Sequence, residues 1–176
     1  MASGSRSMTW RTHLELWSDA TAKVPGSAPA LHNKASALWA LGRIEEAEEV
    51  LAELIRVKPD HLEGAVFHAL SLHRLGKRKE GREELSQLIE ANPNSARPTR
   101  ALGRMLVLEG RTEEGLAIWE DVLTRFPQDL ETTLLLTKIL LREGRVGDAA
   151  RVAEQGLVWR PNHPALQRMA ARAHGR

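Results

Sequence analysis

Histidines are the residues of this sequence that could best serve a metal site or proton transfer. There are seven of them, and imidazole is both a common metal ligand and a general base near neutral pH. His68 and His73 are five residues apart, so they share a helix face poorly, and no carboxylate or second histidine lies four residues from either. The sequence therefore predicts no metal site and no cofactor.

Other catalytic arrangements are missing from the sequence as well. It contains no Ser-His-Asp pattern, glycine-rich phosphate loop or P-loop lysine motif. Cysteine is absent, which excludes disulfides, thiolate metal sites and cysteine nucleophiles. We therefore predict that the protein is not an enzyme.

Cationic side chains are the remaining candidates, and their chemistry is the binding of anions. Arg100 and Arg104 are four residues apart and so share one face of a helix. Lys138 follows Arg104 by thirty-four residues, which places another cation at an equivalent position. The net charge of +2 is too small to require a nucleic-acid partner, so the distribution of charge matters more than its sum.

A period of thirty-four residues positions these side chains. Each period contains a leucine, then a glycine followed by arginine or lysine, a charged helical run and a closing proline. The recurring residues are Gly42, Gly76, Gly110 and Gly144, with Pro25, Pro59, Pro93, Pro127 and Pro161. Glycine ends a helix cheaply because it tolerates positive φ. A period of this length is typical of stacked supersecondary units.

Apolar residues at three- and four-residue spacings predict two helices in each period. The content of 42% apolar and 27% charged residues is that of a folded soluble protein. The predicted segments are a disordered tail or vector-derived remnant (1–7), a half-repeat helix (8–27), four repeats (28–61, 62–95, 96–129 and 130–163) and a capping helix (164–176). Gly81, Gly103 and Gly115 fall inside helices, where glycine costs about 0.5 to 1 kcal/mol against alanine. They predict close helix crossings.

This combination of features resembles the tetratricopeptide repeat, and the resemblance covers Ala28 to His163. The sequence departs from that pattern where Leu31, Ala65, Thr99 and Thr133 replace an aromatic residue, and where Leu38, Leu72, Leu106 and Leu140 replace a tyrosine. The resemblance implies an all-α fold, a right-handed solenoid of stacked antiparallel helix pairs. It also implies that the first helix of each repeat lines a concave groove that binds a partner.

The groove residues are assigned by the register of the resemblance. They are Trp39, Val66, Leu70, His73, Arg74, Arg97, Arg100, Arg104, Lys138 and Arg142, to which the last helix can add Arg168 and Arg172. Cations beside apolar side chains suit an acidic peptide with hydrophobic anchors. We therefore predict a scaffold for protein–protein interaction that binds such a peptide or partner segment.

Several alternatives remain open at the level of sequence. The groove arginines could merely solvate the surface while the apolar residues pack against neighbouring helices. Nucleic acid could bind the basic face, although Trp39 is almost the only aromatic residue assigned there. The run Leu16 to Ala20 resembles the entry into repeats of some bacterial glycosyltransferase-like proteins, which would make the array a regulatory or substrate-holding part of a larger enzyme or membrane complex.

The ends of the chain allow two further expectations. Trp10 and Trp17 lie on one face of the first helix, so the exposed half-repeats could form a homodimer. The first seven residues have no apolar core and no stretch is long enough to span a bilayer, so we expect a cytoplasmic protein without membrane insertion.

Overall fold

The computed structural model describes residues 3–173 and 175, with side chains described from Thr9 to Ala173. The described part of the chain contains ten helices and no strand. They are α1 (Ser3–Lys23), α2 (Ala28–Ala40), α3 (Ile44–Val57), α4 (Leu62–Arg74), α5 (Arg78–Ala91), α6 (Ala96–Leu108), α7 (Thr112–Arg125), α8 (Leu130–Arg142), α9 (Val146–Trp159) and α10 (Pro164–Ala173).

Two helices lie within each of the four predicted repeat segments, as the apolar spacing predicts. The first helix differs from the prediction. Helix α1 begins at Ser3, whereas the sequence pattern predicts a start near Met8. No proline interrupts these small polar residues, so nothing in their backbone chemistry stops the helix from extending. Ser3 to Ser7 of the predicted tail therefore belong to α1. The other two residues of that tail, Met1 and Ala2, lie outside the described residues.

The turn inside each repeat explains the recurring Leu…Gly-Arg/Lys pattern. Gly42 has φ of +76°, a left-handed conformation that glycine adopts without a Cβ penalty. The next amide, of Arg43, donates to the Leu38 carbonyl at 2.9 Å, which is the long hydrogen bond of a Schellman cap. The same bond recurs, each at 2.9 Å, from Lys77 to Leu72, from Arg111 to Leu106 and from Arg145 to Leu140.

The chain divides into two compact units, Met1–Asn92 and Pro93–Arg176, which we call unit 1 and unit 2. In unit 1 the core lies between α2 and α3. Leu31, Leu38, Leu51 and Leu54 are at most 2% exposed there, and Leu14 of α1 packs against this cluster. Burying each such side chain contributes about 1.5 to 3 kcal/mol, so the apolar spacing directly selects these two helices as partners.

In unit 2, helices α6 and α7 cross closely. A Cβ atom on Gly115 would lie 2.7 Å from the Gly103 carbonyl oxygen, and one on Gly103 would lie 2.5 Å from Nε1 of Trp119. Trp119 is only 1% exposed. The crossings predicted at these two glycines are therefore present, because a side chain at either position would push the helices apart.

Candidate functional site

In unit 1, the predicted groove residues Trp39 and Arg74 lie together. The Arg74 guanidinium lies 3.9 Å from the centroid of the Trp39 ring, and the Trp39 indole donates to the Ser71 hydroxyl at 2.7 Å. Trp39 is half-buried and Arg74 is exposed. The indole is thus fixed in place, and a cation covers its face.

The other predicted residues of unit 1 are buried in the structure. Val66 is 5% exposed, Leu70 is 7% exposed and His73 is 9% exposed. These side chains therefore contribute to packing and offer little surface to a ligand. Their burial fits the interpretation that these side chains pack against neighbouring helices, and it does not fit apolar side chains exposed to solvent in a groove.

In unit 2, Arg100 occupies a structural position and not the open surface expected from the sequence. It is only 8% exposed, and its Nη1 donates to both carboxylate oxygens of Asp129, at 3.0 and 2.8 Å. Its Nη2 lies 2.7 Å from Glu131 Oε2, and its backbone carbonyl accepts from the Trp119 indole at 2.9 Å. Both terminal nitrogens are engaged, so Arg100 joins α6 to the start of α8.

Arg97 and Arg104, the neighbours of Arg100 on α6, are half-buried. Arg97 lines a recess of about 480 Å³ together with Arg100, Asp129 and Glu131. That recess contains both signs of charge. Asp129 also caps α8, since its carboxylate accepts from the Thr132 amide at 2.8 Å. Arg100 therefore does not belong to the free cationic surface predicted from Arg100 and Arg104, and the part of Arg104 in it stays a prediction.

A more uniform cationic surface lies between α8 and α10. We call it the cationic groove, a recess of about 520 Å³. Its lining consists of Lys138, Ile139, Leu141, Arg142, Ala165, Arg168, Met169 and Arg172. The four cationic side chains are exposed, and the other four residues are apolar and buried or half-buried. The lining contains no carboxylate.

Few carboxylates neutralise these four cations. Arg142 contacts Glu143 at 3.0 Å. Lys138, Arg168 and Arg172 have no ion pair among the residues that the structure describes. Unlike Arg100, they keep their charge available to a ligand.

Helix α10 is positioned by its opposite face, which packs into unit 2. Leu166 is fully buried and Ala170 is 8% exposed, and the Leu166 side chain approaches Gly156 of α9 so closely that a Cβ there would lie 3.0 Å away. The side-chain amide of Gln167 donates to the Pro161 carbonyl at 3.0 Å. These contacts fix the helix that supplies half of the groove.

A third recess of about 510 Å³ lies between α7 and α9, and the sequence analysis does not predict it. Val158 and Trp159 at its edge are 76% and 53% exposed. Its charged residues Glu120 and Arg151 lie 3.8 Å apart and balance each other. This recess therefore offers apolar surface without a net charge.

His68 lies between two carboxylates of unit 1. Its Nδ1 lies 2.8 Å from Glu84 of α5, and its Nε2 lies 3.5 Å from Glu48 of α3. The hydrogen bond with Glu84 raises the pKa of His68 above its ordinary value, with a smaller contribution from the charges of both carboxylates and an opposing one from burial. The imidazole thus bridges two helices within unit 1.

Two kinds of site have no support in the described part of the chain. No group of three or more histidine and carboxylate residues there could hold a metal ion. None of its helices has the length and apolar character needed to cross a membrane.

Comparison with protein families identifies the repeat. Profiles described as tetratricopeptide repeat match residues 28–61, 68–130 and 106–173. The chain belongs to the tetratricopeptide repeat family. Its fold is accordingly the all-α solenoid class that the sequence predicts. Helices α2, α4, α6 and α8 are the first helices of the four predicted repeats.

Solved structures of tetratricopeptide repeat proteins share this fold. One from Parabacteroides merdae has a TM-score of 0.72 and 19% identity, over 96% of this chain and 66% of its own. A thermophilic one from Thermus thermophilus has a TM-score of 0.71 and 22% identity, over 95% of this chain and 91% of its own. YrrB, described as having an unusual peptide-binding site, has a TM-score of 0.55 and 16% identity, over 93% of this chain and 84% of its own. No curated protein sequence gave a significant match.

Proposed function

We propose that this tetratricopeptide repeat protein is a scaffold that binds a segment of another protein, and that the cationic groove between α8 and α10 is a main contact for it. The observation that carries the proposal is a set of four exposed cations around an apolar floor whose lining has no carboxylate. A ligand that fits this surface is acidic and inserts apolar side chains between the cations.

Helix electrostatics alone account for only part of this arrangement. Cations in the last turn of a helix are stabilised by the helix dipole, which explains Arg142 at the end of α8 and Arg172 near the end of α10. Lys138 and Arg168 lie one turn earlier, where the dipole contributes little. Their position supports a surface that receives an anionic partner.

Other features favour a protein partner over nucleic acid. The floor consists of Ile139, Leu141, Ala165 and Met169, so it lacks the aromatic side chains on which bases stack. YrrB, which shares the fold, is described as having a peptide-binding site.

The proposed activity is binding and not catalysis, and it is compatible with a regulatory or substrate-holding role beside an enzyme. Cytoplasmic location and self-association through the terminal helices stay predictions, the latter tested by light scattering across a concentration series.

A peptide-display selection tests the proposal. Wild-type protein should select acidic segments with apolar residues, and the variant Lys138→Glu/Arg168→Glu should bind the selected peptides at least about tenfold more weakly, because repulsion replaces attraction at two rim positions. The matched control is Lys58→Glu/Arg78→Glu, which changes the net charge equally at exposed positions of unit 1. Equal losses in both variants, or none in the groove variant, would refute the groove as the binding site.

A further inference from the structure

The cations of the cationic groove form two matched pairs on two helices. Lys138 and Arg142 are four residues apart on α8, and Arg168 and Arg172 are four residues apart on α10. Two short connections separate these helices, so α8 and α10 run in the same direction with α9 antiparallel to both. Within each pair the side chains therefore stand about 6 Å apart along the helix axis.

The apolar residues that line the recess come from the same two helices as these cations. Ile139 and Leu141 come from α8, and Ala165 and Met169 come from α10. A ligand that uses the whole surface must point an apolar side chain at the floor and a carboxylate at each row. Its backbone geometry decides whether it can do both.

Three common conformations differ in this respect. Adjacent side chains of a β-strand point to opposite faces, so the neighbours of a buried apolar residue point away from both rows. In a polyproline II helix the residues before and after a buried apolar residue point to its two sides. The same face recurs only every three residues, however, which is about 9.3 Å along the axis. In an α-helix the neighbours diverge by about 100°, and residues four apart are about 6 Å apart. Only the α-helix matches both the sideways placement and the spacing of the cation pairs.

We propose that the ligand of the cationic groove is an α-helical segment in which each of two apolar residues, four positions apart, is flanked on both sides by acidic residues. One set of acids then faces Lys138 and Arg142, the other set faces Arg168 and Arg172, and the apolar residues contact the floor. This inference rests on the proposed function and specifies the partner that it requires.

Two peptides of equal composition test the inference. One carries the run Glu-Leu-Glu-Ala-Glu-Leu-Glu and the other carries Leu-Ala-Leu-Glu-Glu-Glu-Glu, each between identical helix-forming flanks, since short isolated helices are marginal in water. Fluorescence anisotropy measures their affinities for wild-type protein, for Lys138→Glu/Arg168→Glu and for the control Lys58→Glu/Arg78→Glu. Circular dichroism measures the helicity that each peptide gains on binding.

The alternating peptide should bind wild-type protein at least about tenfold more tightly than the grouped peptide, gain helicity on binding, and lose this advantage only in the groove variant. Equal affinities would overturn the inference and leave the proposed function standing. If the alternating peptide does not bind while display-selected acidic peptides do, the inference is likewise overturned and the proposed function stands. If no acidic peptide binds, or if a single-stranded oligonucleotide binds more tightly than either, both the inference and the proposed function are overturned.

Discussion

Replacing Gly103 by alanine should destabilise unit 2, although alanine is the better helix former. The new methyl group would lie 2.5 Å from Nε1 and 2.7 Å from Cδ1 of Trp119. That ring is 1% exposed and its Nε1 donates to the Arg100 carbonyl at 2.9 Å, so it can move away only by losing a buried hydrogen bond.

The magnitude follows from three contributions. Overpacking a filled core costs about 1 to 3 kcal/mol, and disturbing the indole hydrogen bond costs about 0.5 to 1.5 kcal/mol. Replacing glycine in a helix interior returns about 0.5 to 1 kcal/mol. The net expectation for Gly103→Ala is a loss of roughly 0.5 to 4 kcal/mol in the free energy of unfolding.

Gly147 supplies the matched control, because a Cβ there would meet no atom within 4 Å. It lies at the second residue of α9, so Gly147→Ala should stabilise the protein by up to about 0.5 kcal/mol. Thermal melts followed by circular dichroism should place Gly103→Ala about 1 to 16 °C below wild type and Gly147→Ala level with it or slightly above. A melting temperature of Gly103→Ala at or above wild type would refute the proposed crossing.

Two further predictions concern charged side chains with structural roles. Arg100→Met should lower the free energy of unfolding by about 2 to 4 kcal/mol, because it leaves the half-buried carboxylate of Asp129 without its cation; an unchanged urea midpoint would contradict that role. The raised pKa of His68 stabilises the folded state fully below its ordinary value of about 6.5, and this stability is lost as pH rises through the folded pKa. Wild type should therefore lose more thermal stability than His68→Gln between about pH 6 and pH 8, and equal pH profiles would show that the contacts with Glu48 and Glu84 contribute nothing.

The helical framework could be predicted because local chemistry determines it. Gly42 and its equivalents stand where the chain needs positive φ, and each is followed by the amide that closes the same cap. Gly103 and Gly115 also predict the crossing of α6 and α7, because glycine inside a helix is costly unless a neighbouring helix occupies the space of its missing side chain. The sequence pattern predicts a start of α1 that is too late, because small polar residues neither favour nor disfavour a helix strongly.

The candidate site could be predicted only in part, because the availability of a charge depends on partners distant in sequence. In the sequence, Arg100 and Lys138 are both cations on predicted first helices of neighbouring repeats, with Lys138 at the position equivalent to Arg104. Asp129, twenty-nine residues after Arg100, reaches its guanidinium, whereas Lys138 faces Arg168 and Met169 across the cationic groove. The helical period places each side chain on a face but says nothing about which opposite charge lies across from it. A binding surface in a repeat protein is therefore best sought among the cations that remain after the ion pairs between helices are assigned. In unit 2 that criterion removes Arg100 from the predicted surface and retains Lys138, Arg168 and Arg172 of the cationic groove.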